Sequence, residues 1–238
     1  MFKRVVLKLS GEALRGDSKY GISPSKIKSI AKEIKEGYDL GVEIILIIGA
    51  GNIWRGKIGE DLGMDRAQAD YMGMLATIMN ALAVQDGLES VGVPTRVMTA
   101  FSVHSVAEPY IRRRAFRHLE KKRVIIIAGG TGSPFFSTDS AAALRAAELN
   151  AEVVLMAKNG VSGVFDSDPK INKDAMLFSK ISHEEILRLR LQVMDLTAAA
   201  MCSQNDLNII VFDMNVPGNI KKAMAGNQIG TLVYQEEK

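Results

Sequence analysis

Residues 123–142 read RVIIIAGGTGSPFFSTDSAA, and this stretch decides the fold class. RVIIIA is apolar after its first residue, which is typical of a buried strand, and the segment that follows the glycines, 138–150, has a helical composition. We expect Thr138 or Asp139 to cap that helix. A strand that runs through glycines into a helix often binds phosphate, yet the chain contains no GKS or GKT, and this stretch does not fit GxGxxG.

The same apolar strand pattern recurs along the whole chain, at 2–9, 42–48, 95–99, 152–157, 208–212 and 231–234. Helical spacing is found between these runs, with Ser23 and Pro24 opening one helix and a second covering about 65–90. Alternating strands and helices predict right-handed crossovers and therefore an α/β fold. We expect an open, mainly parallel twisted sheet of about eight strands with helices on both faces. Because no Pro/Gly/Ser-rich linker divides the chain, 1–238 is predicted to be a single domain.

Composition and charge argue against several classes of protein. A formal net charge of +3 over 238 residues requires no nucleic-acid partner. The apolar runs are far shorter than the roughly 20 residues that cross a bilayer, so no membrane association is expected. The amino terminus lacks a signal-peptide pattern and Cys202 is the single cysteine, which predicts a cytoplasmic protein. The histidines lack Cys/His ligand spacing, so no zinc site is predicted.

Four predicted strand ends carry glycines or charged side chains, at the sheet edge where such folds bind ligands. Lys8 interrupts the apolar run VVLKL, either as an edge-strand lysine that faces water or as a cation for an anionic ligand. The stretch 47–56, IIGAGNIWRG, begins like a dinucleotide fingerprint, but Trp54 replaces the third glycine and disfavours an NAD-dependent oxidoreductase. Arg55 offers a planar fork that suits phosphate. With Lys158 at another strand end, these residues predict an anion-binding surface.

Five stretches, in order along the chain, resemble those of the bacterial uridylate (UMP) kinases within the amino acid kinase superfamily. They are KLSGEAL at 8–14, GAGNIWRG at 49–56, ADYMGMLATIMNAL at 69–82, GGTGSPFFSTDSAA at 129–142 and LMAKNGVSGVFDSDP at 155–169. The combination of GMLAT with the PFF-STD loop is typical of this branch, whereas glycine turns alone would not separate it from aspartate, glutamate or carbamate kinases. The chain departs from the family at Ala50, usually glycine, at Phe165, often tyrosine, and at Lys19, usually glycine.

The resemblance implies transfer of a phosphoryl group from Mg²⁺-bound ATP to UMP, forming UDP in pyrimidine nucleotide biosynthesis. It also implies which residues do this. Those expected to contact ATP are Lys8, Leu9, Ser10, Gly11, Gly51, Arg55, Asn159, Phe165 and Asp168. Those expected to contact UMP are Ala50, Asp70, Thr131, Gly132, Ser133, Pro134, Phe135, Phe136, Ser137 and Thr138. The catalytic set is Lys8, Lys158, Asp139 and Arg55, and no side chain is assigned to the metal.

Phosphoryl transfer to UMP requires groups that neutralise the negative charge of the phosphates, and it requires no proton acceptor. The nucleophile is an ionised phosphate oxygen, so no general base is needed, and the main barrier is repulsion between phosphates. Lys8 and Lys158 are predicted to neutralise the transferred group. Asp139 is predicted to orient the lysines, with capping of its own helix as the alternative.

Assembly and regulation are also implied by the resemblance. Members of the family are typically homohexamers inhibited by UTP, and the region that follows KLSGEAL contributes to activation by GTP. We expect the arginines at 112–114, with Arg117, to form a solvated helix face or a subunit contact rather than a phosphate site. Other amino acid kinases and a non-catalytic nucleotide sensor are the alternative functions.

Overall fold

The computed structural model describes residues 1–169, 171–191 and 194–236. Within these residues the strands are β1 (Arg4–Leu9), β2 (Glu43–Ile48), β3 (Thr95–Thr99), β4 (Glu108–Pro109), β5 (Val124–Ala128), β6 (Val153–Lys158), β7 (Lys180–Ser182), β8 (Asn208–Asp213) and β9 (Thr231–Tyr234). The helices are α1 (Pro24–Tyr38), α2 (Gly56–Asp61), α3 (Arg66–Ser90), α4 (Arg112–Glu120), α5 (Thr138–Glu148), α6 (His183–Leu189), α7 (Leu196–Gln204) and α8 (Asn219–Met224). A short 3₁₀ helix, Gly11–Leu14, directly follows the first strand.

The strands form one sheet in the order β4-β3-β5-β2-β1-β6-β8-β9-β7. Its neighbouring pairs are parallel except β8 and β9, which are antiparallel. The α/β fold and all seven predicted strands are confirmed. The sequence patterns missed β4 and β7, because two- and three-residue strands are too short to show periodicity. The nine strands therefore slightly exceed the expected number.

Alternate residues of the central strands enter two separate apolar cores. Val5, Leu7 and Leu9 of β1 pack in the core that is covered by α1, α3 and α8. Val6 packs in the opposite core, which includes residues of α4, α5, α6 and α7. Because side chains alternate along a strand, Lys8 falls on the same face as Val6. Among the helices of the described residues, none combines the length and the hydropathy that a membrane-spanning segment requires.

The helix boundaries follow local capping chemistry. Helix α3 begins after Asp65, whose side chain accepts a hydrogen bond from Gln68 N. Helix α5 begins at Thr138, whereas an N-cap at Thr138 or Asp139 would start it at least one residue later. Ser137 is the N-cap, and its Oγ accepts from Asp139 N at 3.0 Å and Ser140 N at 3.2 Å. The prediction that Thr138 or Asp139 caps this helix is wrong, because Ser137 already occupies that position, and the Asp139 carboxylate makes another interaction.

Candidate active site

The centre of the site is a cluster of Lys8, which is buried, with Lys158 and Asp139, which are half-buried. Strand β1 lies between β2 and β6, so the alternative of an edge-strand lysine that faces water is wrong. Lys8 is in register with Met156 of β6, which places Lys158 two residues further along the neighbouring strand and on the same face. Asp139, in the first turn of α5, meets this face: its Oδ1 lies 2.7 Å from Lys8 Nζ, and the two side chains are 14% and 10% exposed.

Burial and neighbouring charges shift the pKa values of Asp139 and Lys158 in this cluster. Burial by itself would raise the pKa of Asp139, but the ammonium groups of Lys8 and Lys158 outweigh burial and hold that pKa below its ordinary value. Burial lowers the pKa of Lys158, and repulsion from Lys8 lowers it further, while attraction to Asp139 opposes both. The Asp139 carboxylate thus partly balances the positive charges of Lys8 and Lys158 at the carboxyl ends of β1 and β6, where an anionic ligand would bind.

Glycine turns pack against one another beside this cluster. A Cβ atom on Gly49 would lie 3.3 Å from Gly11 N, and one on Gly51 would lie 3.3 Å from the Glu12 side chain and 3.8 Å from Arg55 Nε. Arg55 forms an ion pair with Glu12. The turns predicted to bind ATP after β1 and β2 therefore meet in space.

Some backbone carbonyl groups near these turns already accept hydrogen bonds from within the protein. Leu9 is fully buried, and its carbonyl accepts a hydrogen bond from Gly49 N at 3.0 Å. Ser10 holds the N-cap position of the 3₁₀ helix, and its carbonyl accepts from Ala13 N at 3.1 Å. Leu9 therefore offers no exposed side chain to a nucleotide.

The loop after β6 carries the other residues predicted to bind ATP. Asn159 directly follows Lys158, and its Oδ1 accepts a hydrogen bond from Asn215 Nδ2 at 2.8 Å. Phe165 is half-buried and forms an isolated antiparallel bridge with Leu177. The carbonyl of Asp168, an exposed residue, accepts from Asn172 N at 2.8 Å. The loop is thus held by its own backbone bonds.

The sequence patterns missed Asp213 and Asn215 at this edge of the sheet. Asp213 is in register with Lys158, and its Oδ1 accepts from Gly160 N at 3.0 Å and from Asn215 N at 2.9 Å. The signal was present, because NIIVFD is an apolar run that ends on a carboxylate, like the other strand ends.

A cavity of about 160 Å³ lies between α3, the turn after β2 and the loop after β5. Four of the residues predicted to bind UMP line it, namely Ala50, Asp70, Phe136 and Thr138. The residues missed by sequence reasoning are Trp54, Gly56, Ala69, Gly73, Met74, Thr77 and Gly130. All seven lie within or beside the quoted motifs, so the signal was their position in those stretches. Thr138, which lines the cavity, directly precedes Asp139, so the cavity reaches the start of the helix that carries the carboxylate of the cluster.

Asp70 fastens the loop after β5 to α3. Its Oδ2 accepts a hydrogen bond from Phe135 N at 2.8 Å, and the carboxylate also accepts from Arg66 Nε at 3.1 Å. Phe135 has φ of 69°, which is uncommon for a residue other than glycine, and its ring is largely exposed. The aspartate and the loop predicted to bind UMP are therefore in direct contact.

The remaining loop residues shape the turn. Thr131 Oγ1 donates to Ser133 O at 3.2 Å and accepts from Ser133 N at 3.3 Å. Gly132 has φ of 94°, a conformation that favours glycine. Together with Pro134 these residues close the turn instead of lining the cavity.

Asp195 is another residue that sequence reasoning missed. It is the N-cap of α7, where its Oδ1 accepts from Ala198 N at 2.9 Å. The same carboxylate accepts hydrogen bonds from Ser137 Oγ and, at 3.1 Å, from Ser140 Oγ. These serines flank Asp139 in sequence, so Asp195 links the start of α7 to the start of α5.

Two features lie away from this site. A larger cavity of about 380 Å³ lies near the amino ends of β2 and β5, lined in part by Tyr38 and Arg123, and it contains none of the charged strand-end residues. The arginines of 112–114 are exposed on α4; Arg112 donates to Glu148 O, and Arg114 lies 3.8 Å from Glu108. These contacts agree with a solvated helix face.

Comparison with known proteins assigns the family. Residues 3–213 match the model of the amino acid kinase family. The chain is 63% identical over 235 residues to the uridylate kinase of Aster yellows witches'-broom phytoplasma (strain AYWB), covering 98% of this chain and 97% of that one. It is 57% identical over 232 residues to the uridylate kinase of Limosilactobacillus reuteri, with the same coverage. The crystal structure of UMP kinase from Bacillus anthracis superposes with a TM-score of 0.96 at 40% identity, covering 99% of this chain and 97% of that chain. The strand-end lysines, the glycine turns and the Asp70-bound loop thus belong to a member of the uridylate kinase branch of the amino acid kinase family.

Proposed function

We propose that this protein is a phosphotransferase that moves the γ-phosphoryl group of ATP to UMP, forming ADP and UDP for pyrimidine nucleotide synthesis. The observation that carries the proposal is the buried Lys8–Asp139 ion pair, with Lys158 on the neighbouring strand, beside a cavity that Thr138 and Asp70 line. Full-length identity to proteins named uridylate kinase supports the choice of UMP as the acceptor. The continuous nine-stranded sheet supports a single domain over 1–238.

On the donor side, we propose that the transferred phosphoryl group of ATP binds beside the ammonium groups of Lys8 and Lys158. Two cations at the ends of adjacent strands neutralise charge on this group as its bond to the β-phosphate oxygen of ATP breaks and its bond to UMP forms. Asp139 orients Lys8 and prevents the two lysines from repelling each other apart. The acceptor oxygen of UMP is already ionised near neutral pH, so no residue removes a proton from it. ATP binds over Ser10, Gly11 and Gly51, with its base and ribose towards Asn159, Phe165 and Asp168.

On the acceptor side, UMP occupies the cavity between α3 and the loop 131–138. Asp70 has a capacity for further hydrogen bonds beyond those to Phe135 N and Arg66, and a carboxylate suits the hydroxyl groups of a ribose. Arg55, exposed at the mouth of the site, exchanges Glu12 for a nucleotide phosphate. The fork of an arginine suits this exchange because it can bind two phosphate oxygens at once.

Mg²⁺ enters this scheme with ATP, to which it supplies further charge neutralisation. In the described part of the chain no group of three or more His, Cys, Asp or Glu side chains is arranged to hold a metal ion. Phosphate oxygens and water are ligands that Mg²⁺ prefers, so the nucleotide itself would provide most of the coordination.

We extend the proposal to assembly and regulation. Helix α3 exposes an apolar row of Tyr71, Met72, Leu75 and Met79, each between 39% and 55% exposed, and such a row supports contact between subunits of a homohexamer. We propose UTP as an inhibitor and GTP as an activator. In the region linked to GTP control, Lys19 replaces a glycine of the family. A cytoplasmic location stays a prediction from the sequence.

A substrate panel tests the proposed function. Purified protein with ATP and Mg²⁺ should release ADP with UMP, and should release none with aspartate, glutamate, carbamate or AMP. UDP formation is measured directly by chromatography, and the assay is repeated with GTP and with UTP. ADP release with one of the carboxylates or with carbamate would point to another amino acid kinase, and UTP binding without UDP formation would point to a nucleotide sensor.

A further inference from the structure

Two asparagine side chains are completely buried beside the glycine turn that follows β2. Asn52 belongs to the turn and Asn80 to α3, and both are 0% exposed. Their amides bond to each other in both directions: Asn52 Nδ2 donates to Asn80 Oδ1 at 2.9 Å, and Asn80 Nδ2 donates to Asn52 Oδ1 at 2.8 Å. Buried polar groups require partners, and here each amide supplies one for the other.

The second proton of each amide goes to a different backbone carbonyl. Asn80 Nδ2 donates to Gly49 O at 2.8 Å, whereas Asn52 Nδ2 donates to Gly21 O at 2.9 Å. Gly21 N in turn donates to Asn52 O at 2.8 Å. An amide nitrogen carries two protons, so both donors are fully used. The pair therefore connects α3, the end of β2 and the segment around Gly21.

The turn after β1 packs directly on the same atoms. A Cβ atom on Gly11 would collide with the carbonyl oxygen of Gly49 and would lie 2.7 Å from Asn52 Oδ1. Only a glycine allows this close approach. The position of the Gly49 carbonyl consequently sets the separation of the turns after β1 and β2. Asn80 holds that carbonyl from the same helix that carries Asp70.

We propose that the Asn52–Asn80 pair positions the glycine turns relative to α3, and that the bond from Asn80 to the Gly49 carbonyl is the decisive one. This inference rests on the proposed function, which places ATP over the turns and UMP against Asp70. Asn80 acts through the backbone and touches neither nucleotide, so it is a positioning residue. One helix then aligns the donor turns with the acceptor loop, and a small displacement between them would slow an in-line transfer.

The test uses Asn80→Asp and Asn52→Asp, which each exchange one NH₂ group for an oxygen. Both variants lose the bond that the changed residue donates to its partner. Asn80→Asp also loses the bond to Gly49 O, whereas Asn52→Asp loses the bond to Gly21 O. The two proteins are therefore matched in burial and in introduced charge, and they differ in the carbonyl that is released.

We expect similar losses of Tm but different kinetics. The kcat of Asn80→Asp should be lower than that of Asn52→Asp by about 10- to 100-fold, with smaller changes in KM. Hydrogen exchange of the nucleotide-free proteins should become faster at 49–53 in Asn80→Asp and around residue 21 in Asn52→Asp. If an aspartate variant fails to fold, Asn80→Ser and Asn52→Ser are compared in the same way.

Equal kcat losses in the two variants, or exchange at 49–53 that is no faster in the Asn80 variant, would overturn the inference. UDP formation by the wild-type protein tests the proposed function separately. If the wild type formed no UDP, the exchange at 49–53 would still decide whether Asn80 holds the turn.

Discussion

Replacing Asp139 with asparagine removes the negative charge of the cluster and nearly preserves the shape of the side chain. Lys8 Nζ and Asp139 Oδ1 are 2.7 Å apart. Two unit charges at that separation attract by about 6 kcal/mol at an effective dielectric of about 20. Desolvation of both groups offsets part of this attraction, and breaking such a buried pair typically costs about 3–5 kcal/mol. Since domains are commonly stable by about 5–15 kcal/mol, the variant should fold with a clearly lower Tm.

The kinetic effect should fall mainly on turnover. Without Asp139, the ammonium groups of Lys8 and Lys158 repel each other and no longer share one orientation, although nucleotide phosphates still attract both. We expect kcat for UDP formation to decrease by about 100- to 1,000-fold, as for loss of one preorganised charge-stabilising group. The KM values for ATP and UMP should change only a few-fold. The assay measures kcat and both KM values well below the Tm of the variant.

A matched control exists in the exposed pair of Lys35 and Asp39. Their Nζ and Oδ1 atoms are also 2.7 Å apart, but Asp39 is 54% exposed. Asp39→Asn should therefore cost about 1 kcal/mol or less and leave kcat unchanged. An Asp139→Asn protein with kcat near the wild-type value would refute the orienting role. A raised KM at normal kcat would instead make Asp139 a binding residue.

The remaining predictions concern other parts of the site. Burial and repulsion from Lys8 lower the pKa of Lys158, although Asp139 opposes them. Because the neutral lysine no longer stabilises the phosphoryl group, kcat/KM should decline as the pH rises, and this decline should begin below the ordinary lysine pKa of about 10.4. Asp139→Asn should move this decline in kcat/KM to still lower pH, because Asp139 no longer raises the pKa of Lys158. An unchanged pH profile would contradict the electrostatic coupling between Asp139 and Lys158. Asp70→Ala should raise KM for UMP by about 10- to 100-fold, because the loop after β5 loses the charged acceptor of its Phe135 N–H. Steady-state kinetics measure this change, and Asp86→Ala, at an exposed position of the same helix, is the control. Burial raises the pKa of Cys202 to about 12, so a maleimide at neutral pH should label the unfolded chain far faster than the native protein, and equal rates would show that the thiol is accessible.

The sequence was informative about the sheet because its longer strands are continuous apolar runs. Such runs are covered on both faces, and their character does not depend on which strand lies beside which. The short strands Glu108–Pro109 and Lys180–Ser182 escaped detection, since they form through pairing with neighbours and carry no periodic pattern of their own. The start of α5 was misplaced because Ser137, Thr138 and Asp139 are all good N-cap residues, and their backbone conformation decides among them.

The sequence by itself determined the α/β class, seven of the strands and the presence of charged groups at several strand ends. These features depend on local composition and on the period of apolar residues. Only the tertiary structure decided that β1 is internal, that Lys8 and Lys158 share a face, and that Asp139 pairs with Lys8. It also decided that Asn52 and Asn80, 28 residues apart, share one buried pair of amides. The physical reason is that strand order and register join distant residues, and no local pattern encodes that pairing.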